Sequence, residues 1–255
     1  MRVVLTIEAR MGSSRLPGKV LKEACGRSFL ELMIERVRRA QRVHEVVVAT
    51  TVNPKDDAIE ALCRSIGCSI FRGSEDDVLS RLAGAARAHK ADLLVQTTGD
   101  CPLHDWRVID EGVRVYLGSK VDYVSNRLRR SWPTGLDTQV YKPAVLEKVL
   151  ASHPSAEDRE HGSWYIYTHP KEFRLKNYES SRVRCPEKRW CLDYPEDEIF
   201  FRRIFESLYP QNPAFTTDDV LAYLNDHPEA GTINAMHPVN IAPFECHENE
   251  VVASC

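Results

Sequence analysis

The stretch VVLTIEARMGSSRLPGKVL, residues 3–21, decides the fold, because a short apolar run gives way at once to a loop of small and cationic residues. Runs of this kind, rich in β-branched residues, are typical of a buried strand in a parallel sheet. The loop gathers Arg10, Arg15 and Lys19, although the whole chain has a formal net charge of −3. Because like charges held together repel one another, the loop predicts a negatively charged ligand.

Outward from this strand, short apolar runs alternate with longer stretches of helical periodicity. Further strands are expected at HEVVVAT (44–50), CSIF (68–71) and ADLLVQTTGD (91–100). Helices are expected at SFLELMIERVRRA (28–40), NPKDDAIEALCRSIG (53–67) and SEDDVLSRLAGAARAHK (74–90), the last with Ser74 as its N-cap. This alternation predicts an α/β fold with a parallel sheet covered by helices on both faces. Ligands of such sheets bind at the carboxyl ends of strands, where the cationic loop and Asp100 both lie.

The second half of the chain has a less regular pattern. Strands are expected at VDYVSN (121–126) and GLDTQVYK (135–142), and helices at AEDREHGSWYIYTH (156–169) and PEDEIFFRRIFESLY (195–209). No repeat or low-complexity linker divides the chain, so we expect a single domain over residues 1–225 with a β-rich insert at about 121–188. Residues 226–255 are expected to form an irregular tail.

Composition excludes several classes of function. The pI of about 6.3 argues against a general nucleic-acid or anionic-membrane surface. No run approaches the ~20 apolar residues of a membrane-spanning helix. No signal peptide is visible, so we expect a cytoplasmic protein that binds neither nucleic acid nor membrane. The eight cysteines form no Cys-x-x-Cys pair and are expected to be reduced thiols rather than a structural metal site.

Three interpretations fit a loop of this composition. A solvated turn would accommodate the glycines and the proline but has no need of three cations. A P-loop fails, because Gly12 lies one position too early, Pro17 interrupts the loop and Val20 replaces the hydroxyl that binds Mg²⁺. The third is a different triphosphate cradle, in which backbone N–H groups, arginine and lysine all bind phosphate oxygens.

The motif ARMGSSRLPGK (9–19) resembles the opening motif of the cytidylyltransferases that activate sugar acids, such as CMP-Kdo synthetase and, more loosely, CMP-sialate synthetase. Later segments are similar to the spore coat polysaccharide biosynthesis protein F branch of that family: TGDCPLHDWRVID (98–110), DYVSN (122–126), GLDTQVY (135–141), EDREH (157–161) and LDYPEDEIFFRRIFESLY (192–209). The resemblance runs from about residue 2 to residue 225. It implies a Rossmann-like nucleotidyltransferase fold, of the nucleotide-diphospho-sugar transferase type, with a mostly parallel central sheet and a β-rich dimerisation insert.

The resemblance also implies a reaction, in which an acceptor oxygen attacks the α-phosphorus of CTP and pyrophosphate leaves, with Mg²⁺ or Mn²⁺ as cofactor. The acceptor would be a sugar acid or a phosphorylated small molecule for surface polysaccharide biosynthesis, and both stay open. The alternative is a glycosyltransferase that only binds a nucleotide sugar. Such enzymes usually carry a D-x-D metal motif, whereas TGD (98–100) supplies one aspartate. Relatives often pair through the insert, so a homodimer through 121–188 is implied as well.

Most of the expected site residues lie in the matched motifs, whereas Arg72, Asp76 and Gln96 lie outside them. Catalytic roles are expected for Arg10, Arg15, Lys19 and Asp100. The nucleotide is expected to contact Ala9, Arg10, Met11, Gly12, Ser13, Ser14, Arg15, Lys19, Gln96, Thr98 and Gly99. The acceptor is expected to contact Arg72, Asp76, Asp137, Arg159 and His161, although the same clusters would also suit solvated helix faces. Gln96 can donate and accept, as cytosine requires, but a hydrogen bond inside the fold would use it equally well.

Metal ligands are expected at Asp100 and Asp193. In sialate-type relatives two aspartates alternate as D-x-D at the second position, and here Cys191 stands where the first would fall. Only Asp193 therefore carries over, and the choice between one metal and two stays open.

Overall fold

The computed structural model describes residues 1–182 and 184–239, and a single sheet of seven strands lies at its centre. The described residues form nine strands, of which seven belong to the central sheet. They are β1 (Val3–Glu8), β2 (Glu23–Ala24), β3 (Arg27–Ser28), β4 (Glu45–Thr51), β5 (Ser69–Gly73), β6 (Leu93–Thr98), β7 (Tyr123–Ser125), β8 (Gln139–Tyr141) and β9 (Leu175–Asn177). Across the central sheet the order is β5-β4-β1-β6-β8-β7-β9, while β2 and β3 form a separate hairpin. β5, β4, β1 and β6 run parallel, and β8 runs antiparallel to both of its neighbours. The expectation of a mostly parallel central sheet is confirmed.

Helices cover both faces of this sheet. They are α1 (Phe29–Val37), α2 (Asp57–Ser65), α3 (Val78–Ala88), α4 (Trp106–Leu117), α5 (Pro143–Ala151), α6 (Ala156–Glu160), α7 (Trp164–Thr168), α8 (Pro195–Leu208), α9 (Thr217–Asp226) and α10 (Pro228–Thr232). None of these helices is both long and apolar enough to cross a lipid bilayer.

Alternation along β1 divides the core between the two faces. Val3, Leu5 and Ile7 are buried in one apolar cluster, together with residues of α1, α2, α4, α8 and α9. Val4 is buried in the other, with residues of α3, α5 and α7. Successive side chains of a strand point to opposite faces, so one short apolar run supports both layers of helices. The apolar side chains buried on each face stabilise the sheet whose strand ends carry the site.

The segment expected as a β-rich insert, 121–188, contributes three strands to the central sheet. Its strands β7, β8 and β9 have three residues each. β8 pairs directly with β6, and the helices α5, α6 and α7 separate β8 from β9. Strands this short show no reliable periodicity in a sequence, which is why the pattern did not distinguish an extension of the sheet from a separate insert.

Two expected helices have different boundaries. α3 begins at Val78 and not near Ser74, because the side chain of Asp77 caps it by accepting a hydrogen bond from the Ser80 amide at 2.8 Å. The helix expected over 156–169 is divided into α6 and α7, since Gly162 lies between them with a φ of +59°. A residue in the left-handed region ends a right-handed helix.

The expected tail is ordered over its first part. α10 follows α9 after a single residue, and Ala230 is buried in the apolar core. The rest of the expected tail, 240–255, lies outside the described residues, and Cys246 and Cys255 lie there too. The cysteines within the described residues are all free thiols.

Candidate functional site

A cavity of about 610 Å³ opens where β1 and β6 end. The cationic loop forms one wall, Thr98 and Asp100 form a second, and Glu160 and His161 close the side next to α6. This is the carboxyl edge of the parallel strands, where the sequence predicted a ligand.

Local hydrogen bonds fold the loop back towards the sheet. The carbonyl of Met11 accepts from the amides of Ser13 and Gly18, at 3.0 Å and 3.2 Å. The amide of Met11 donates to the buried carboxylate of Asp56 at 2.7 Å. Gly18 has a φ of +68°, a conformation that suits glycine, and a short 3₁₀ turn over Lys19–Leu21 follows it. The small residues of the loop therefore turn the chain so that Lys19 faces the end of β6.

Lys19 lies between two carboxylates that are far apart in the sequence. Its Nζ is 2.9 Å from Asp100 Oδ2 and 2.8 Å from Asp193 Oδ1. Burial opposes ionisation of Asp100, but Lys19 together with hydrogen bonds from Thr98 and Cys101 lowers the pKa of Asp100 to about 2. Burial likewise disfavours the charged lysine, and the two aspartates raise the pKa of Lys19 above its ordinary value. All three groups are therefore charged at neutral pH.

Backbone contacts hold the two aspartates next to each other. The amide of Leu192 donates to the carbonyl of Asp100 at 2.8 Å, which ties the segment before Asp193 to the end of β6. The amide of Gly99 donates to the carbonyl of Glu8 at 2.8 Å, and a Cβ on Gly99 would lie only 3.0 Å from that carbonyl oxygen. Glycine thus allows the ends of β1 and β6 to approach closely.

Two arginines also contact Asp193. Arg15 Nη2 is 3.3 Å from Oδ1, and Arg189 Nη2 donates to Oδ2 at 2.9 Å. Burial and the nearby Asp100 oppose ionisation of Asp193, but Lys19 and Arg189 keep the pKa of Asp193 below its usual value. The guanidinium of Arg15 also lies over the ring of Tyr194, 5.0 Å from its centroid.

Most of the residues expected at the site do line this cavity. They are Ala9, Arg10, Gly12, Ser13, Ser14, Arg15, Lys19, Thr98, Asp100, His161 and Asp193. Met11 and Gly99 are not among the lining residues and act through the backbone contacts described above.

Gln96 is buried, and its amide is used inside the fold. Its Oε1 accepts from the hydroxyl of Tyr141 and its Nε2 donates to Glu8, both at 2.6 Å. It does not line the cavity. Of the two roles left open by the sequence, this geometry favours the internal hydrogen bond over contact with a base.

Four of the residues expected to bind the acceptor are not among the residues that line the cavity. Arg72 pairs with Asp57 and Glu60 of α2. Asp137 forms a two-pronged pair with Arg130, Arg159 pairs with Asp77, and Asp76 is exposed next to the N-cap of α3. Of the five residues expected to bind the acceptor, His161 alone lines the cavity.

The cavity also contains charged residues that the sequence did not single out. Glu8 ends β1, and burial raises the pKa of its carboxyl group. Arg81 on α3 is 4% exposed, donates to the carbonyls of Ser74 and Glu75, and has an Nε without a partner among the described residues. An acidic residue at the end of an apolar strand was a signal that could have been used. A helical arginine gave none, because arginines on helices usually face solvent.

The described residues contain no group of three or more histidine, cysteine, aspartate or glutamate side chains arranged to hold a metal ion. Asp100 and Asp193 lie on either side of the Lys19 ammonium in this cavity.

Comparison with known proteins is consistent with this geometry. Residues 4–222 match the family model described as cytidylyltransferase. The chain is 30% identical over 239 residues to the spore coat polysaccharide biosynthesis protein SpsF of Bacillus subtilis, covering 90% of this chain and 97% of that protein. A solved cytidylyltransferase from Leptospira borgpetersenii has a TM-score of 0.85 at 29% identity, covering 90% of this chain and 96% of that one.

A further solved structure is similar to this chain in fold, at a sequence identity too low to indicate more. CMP:2-keto-3-deoxy-manno-octonic acid synthetase complexed with CTP has a TM-score of 0.64 at 18% identity, covering 81% of this chain and 99% of that one. The expected Rossmann-like nucleotidyltransferase fold is confirmed by these structures, and the similarity to the SpsF branch is confirmed by the curated relative. Because the family model spans most of its length, the chain belongs to the cytidylyltransferase family.

Proposed function

We propose that this chain transfers a cytidylyl group from CTP to a small-molecule acceptor and releases pyrophosphate. The observation that carries the proposal is the convergence, in one cavity, of the cationic loop with Asp100 and Asp193. The family model supports nucleotidyl transfer, and the solved CTP complex of a protein with a similar fold supports CTP as the donor.

The loop has the chemistry to bind a triphosphate. Arg10 and Arg15 are half-exposed, and Lys19 lies deeper in the cavity. A Cβ on Gly12 would lie 3.0 Å from the carboxylate of Glu75, so the backbone here passes close to its neighbours. Arginine forks and the lysine ammonium bind phosphate oxygens, and donors held in place need no rearrangement as charge develops on the leaving pyrophosphate.

The two aspartates fit a divalent cation. Both reach the same ammonium nitrogen within 2.9 Å, so one cation placed between them would contact an oxygen of each. Mg²⁺ is commonly held by one or two carboxylates together with water and substrate phosphates. We propose Mg²⁺ or Mn²⁺ here, which when bound would withdraw charge from the α-phosphate. Asp100 and Asp193 would hold the ion, and the loop would orient the phosphate chain.

The acceptor is proposed to be a sugar acid or a phosphorylated small molecule. Thr98, Glu160 and His161 also line the cavity and supply polar side chains for the hydroxyl groups of an acceptor. The similarity to a spore coat polysaccharide biosynthesis protein supports an acceptor used in surface polysaccharide biosynthesis. The similarity in fold to CMP:2-keto-3-deoxy-manno-octonic acid synthetase supports a sugar acid. Catalysis would depend on holding the acceptor oxygen in line with the α-phosphorus.

One assay tests this proposal. We expect pyrophosphate release when the protein is incubated with Mg²⁺, CTP and a panel of sugar acids and phosphorylated metabolites, and little release when UTP, ATP or GTP replaces CTP. Asp100→Asn is expected to abolish the signal, because it removes a metal ligand and a charge.

The matched control is Asp110→Asn. Asp110 is an acidic residue on α4 whose carboxylate accepts hydrogen bonds from the amides of Gln41 and Arg42. If no acceptor gives pyrophosphate while an intact nucleotide sugar binds tightly, the proposal is wrong and the glycosyltransferase alternative gains support.

A homodimer is proposed as well. The resemblance supports pairing through residues 121–188, and this segment supplies β9, which lies at one edge of the central sheet. The edge of a sheet presents unpaired backbone groups that another chain is able to cover.

A further inference from the structure

We infer that Asn234 and Arg189 are positioning residues for the metal ligand Asp193, so that the segment following α10 forms part of the active site. The inference rests on the metal assignment of the proposed function. It concerns residues that neither the cationic loop nor the matched motifs include.

Arg189 fixes the orientation of the Asp193 carboxylate. Its Nη2 donates to Oδ2 at 2.9 Å, while Oδ1 faces Lys19 and Arg15 in the cavity. One oxygen of Asp193 is therefore held by the fold, and the other is presented to ligands. Arg189 is only 6% exposed, so this hydrogen bond lies outside the reach of bulk water.

Asp197 in turn holds Arg189 in place. Its Oδ2 accepts from Arg189 Nη2 at 3.1 Å and from the amides of Asp193 and Tyr194, both at 2.9 Å. The same carboxylate thus caps the start of α8 and fixes the backbone that carries Asp193. Its side chain is completely buried, so each of its lone pairs needs a partner.

Asn234 completes this network from the C-terminal segment. Its Nδ2 donates to Asp197 Oδ1 at 2.8 Å and to the carbonyl of Arg189 at 3.2 Å. Asn234 is 4% exposed. The hydrogen bonds therefore run from Asn234 through Asp197 and Arg189 to Asp193.

Two neighbours of Asn234 attach the same segment to the site. The carbonyl of Pro238 accepts from Arg189 Nη1 at 3.3 Å. His237 stacks on Tyr194 with ring centroids 3.8 Å apart, and its Nε2 is 2.9 Å from a carboxylate oxygen of Glu196. The segment 234–238 thus packs along the stretch that carries Asp193.

Carboxylates that bind metals depend on such outer hydrogen bonds for their orientation, and losing one typically costs about 10- to 100-fold in metal affinity. Asn234→Ala would leave Asp197 Oδ1 buried without this donor, allow Arg189 to shift, and loosen the carboxylate of Asp193. The cationic loop makes no contact with Asn234 among the described hydrogen bonds and ion pairs, so its hold on the phosphates should be unaffected.

The test measures metal and nucleotide separately. Mn²⁺ binding to the full-length protein with CTP and no acceptor is followed by electron paramagnetic resonance, and CTP binding with EDTA present is followed by calorimetry. Asn234→Ala is expected to weaken Mn²⁺ binding by about tenfold or more, with CTP binding in EDTA unchanged. Asn225→Ala, an exposed asparagine on α9, is the matched control and should bind both as the unchanged protein does.

The outcomes separate this inference from the function on which it rests. If Asn234→Ala binds Mn²⁺ as tightly as the unchanged protein, the inference is wrong. If Asp193→Asn also leaves Mn²⁺ binding unchanged, the metal assignment itself fails. Should Asn234→Ala not fold, as judged by loss of a cooperative thermal transition, the similarly sized Asn234→Leu decides. It removes the donor to Asp197 without leaving a cavity, and unchanged Mn²⁺ affinity in that variant would equally overturn the inference.

Discussion

Lys19 contacts two aspartates in the structure, and by the proposed function it contacts phosphate oxygens in the complex. Its position follows from the turn that Gly18 begins, which directs a lysine of the loop to the end of β6. The residue therefore links the loop to both candidate metal ligands.

We expect Lys19→Ala to lower kcat/KM for CTP by about a hundredfold, since removing one charged donor at a developing negative charge costs roughly 2–4 kcal/mol. Steady-state pyrophosphate release checks this. Lys22→Ala is the control, because Lys22 pairs with Glu198 and does not line the cavity. Equal values for the two variants would remove Lys19 from the site.

For single residues, the clustering of charge was the feature of the sequence that predicted the site. Arg10, Arg15 and Lys19 were predicted because three cations on one short loop need a counter-charge. Arg189 and Asn234 were not, because their partner Asp197 is an ordinary first-turn acid in the sequence and only the fold brings the three together.

The loops that carry the site residues are connected to one another by hydrogen bonds. The amide of Trp190 donates to the carbonyl of Thr134 at 2.7 Å, so the loop after β7 supports the segment that leads to Asp193. His104, in the loop before α4, contacts the same region through the Gly135 carbonyl at 3.4 Å and the Thr138 hydroxyl at 3.1 Å.

The buried His104 makes this loop packing sensitive to pH. Burial lowers the pKa of His104 from 6.5 to about 4. Between those values the unfolded chain binds a proton that the folded chain does not, so the free energy of unfolding should fall as the pH drops, by at most about 3 kcal/mol from this group.

Denaturant unfolding at several pH values checks this prediction. We expect His104→Asn to show a smaller loss of stability between pH 6.5 and 4 than the unchanged protein. His153→Asn, at an exposed histidine, should retain the full loss. Identical pH dependence in the unchanged protein and His104→Asn would contradict the assignment.

Elements were predictable where periodicity was strong. β1, β4, β5 and β6 and the helices between them follow the pattern, because long amphipathic stretches report burial directly. β7 and β8 lie within the strands expected at 121–126 and 135–142. The pairing of β8 with β6, and of β7 with β8 and β9, is set by contacts distant in the sequence, which a local pattern does not report. Gly162 divided a helix because its backbone conformation is not visible in a helical pattern.

For the whole molecule we predict a homodimer. Light scattering at micromolar concentration should give twice the 29.1 kDa of one chain, because the proposed contact covers the edge of the sheet at β9. Measurements over a range of concentrations provide the control for non-specific association. A mass of one chain throughout would contradict the proposed pairing.

The ammonium group between Asp100 and Asp193 bears on the order in which ligands bind. A free divalent ion would have to displace the Lys19 ammonium from both aspartates and leave it without an anionic partner. A divalent ion that is already bound to the nucleotide brings phosphate oxygens, which pair with the Lys19 ammonium when the ion displaces it. By the proposed function, the protein should therefore bind the metal–nucleotide complex in preference to the free metal ion, so that the enzyme without nucleotide carries little bound metal.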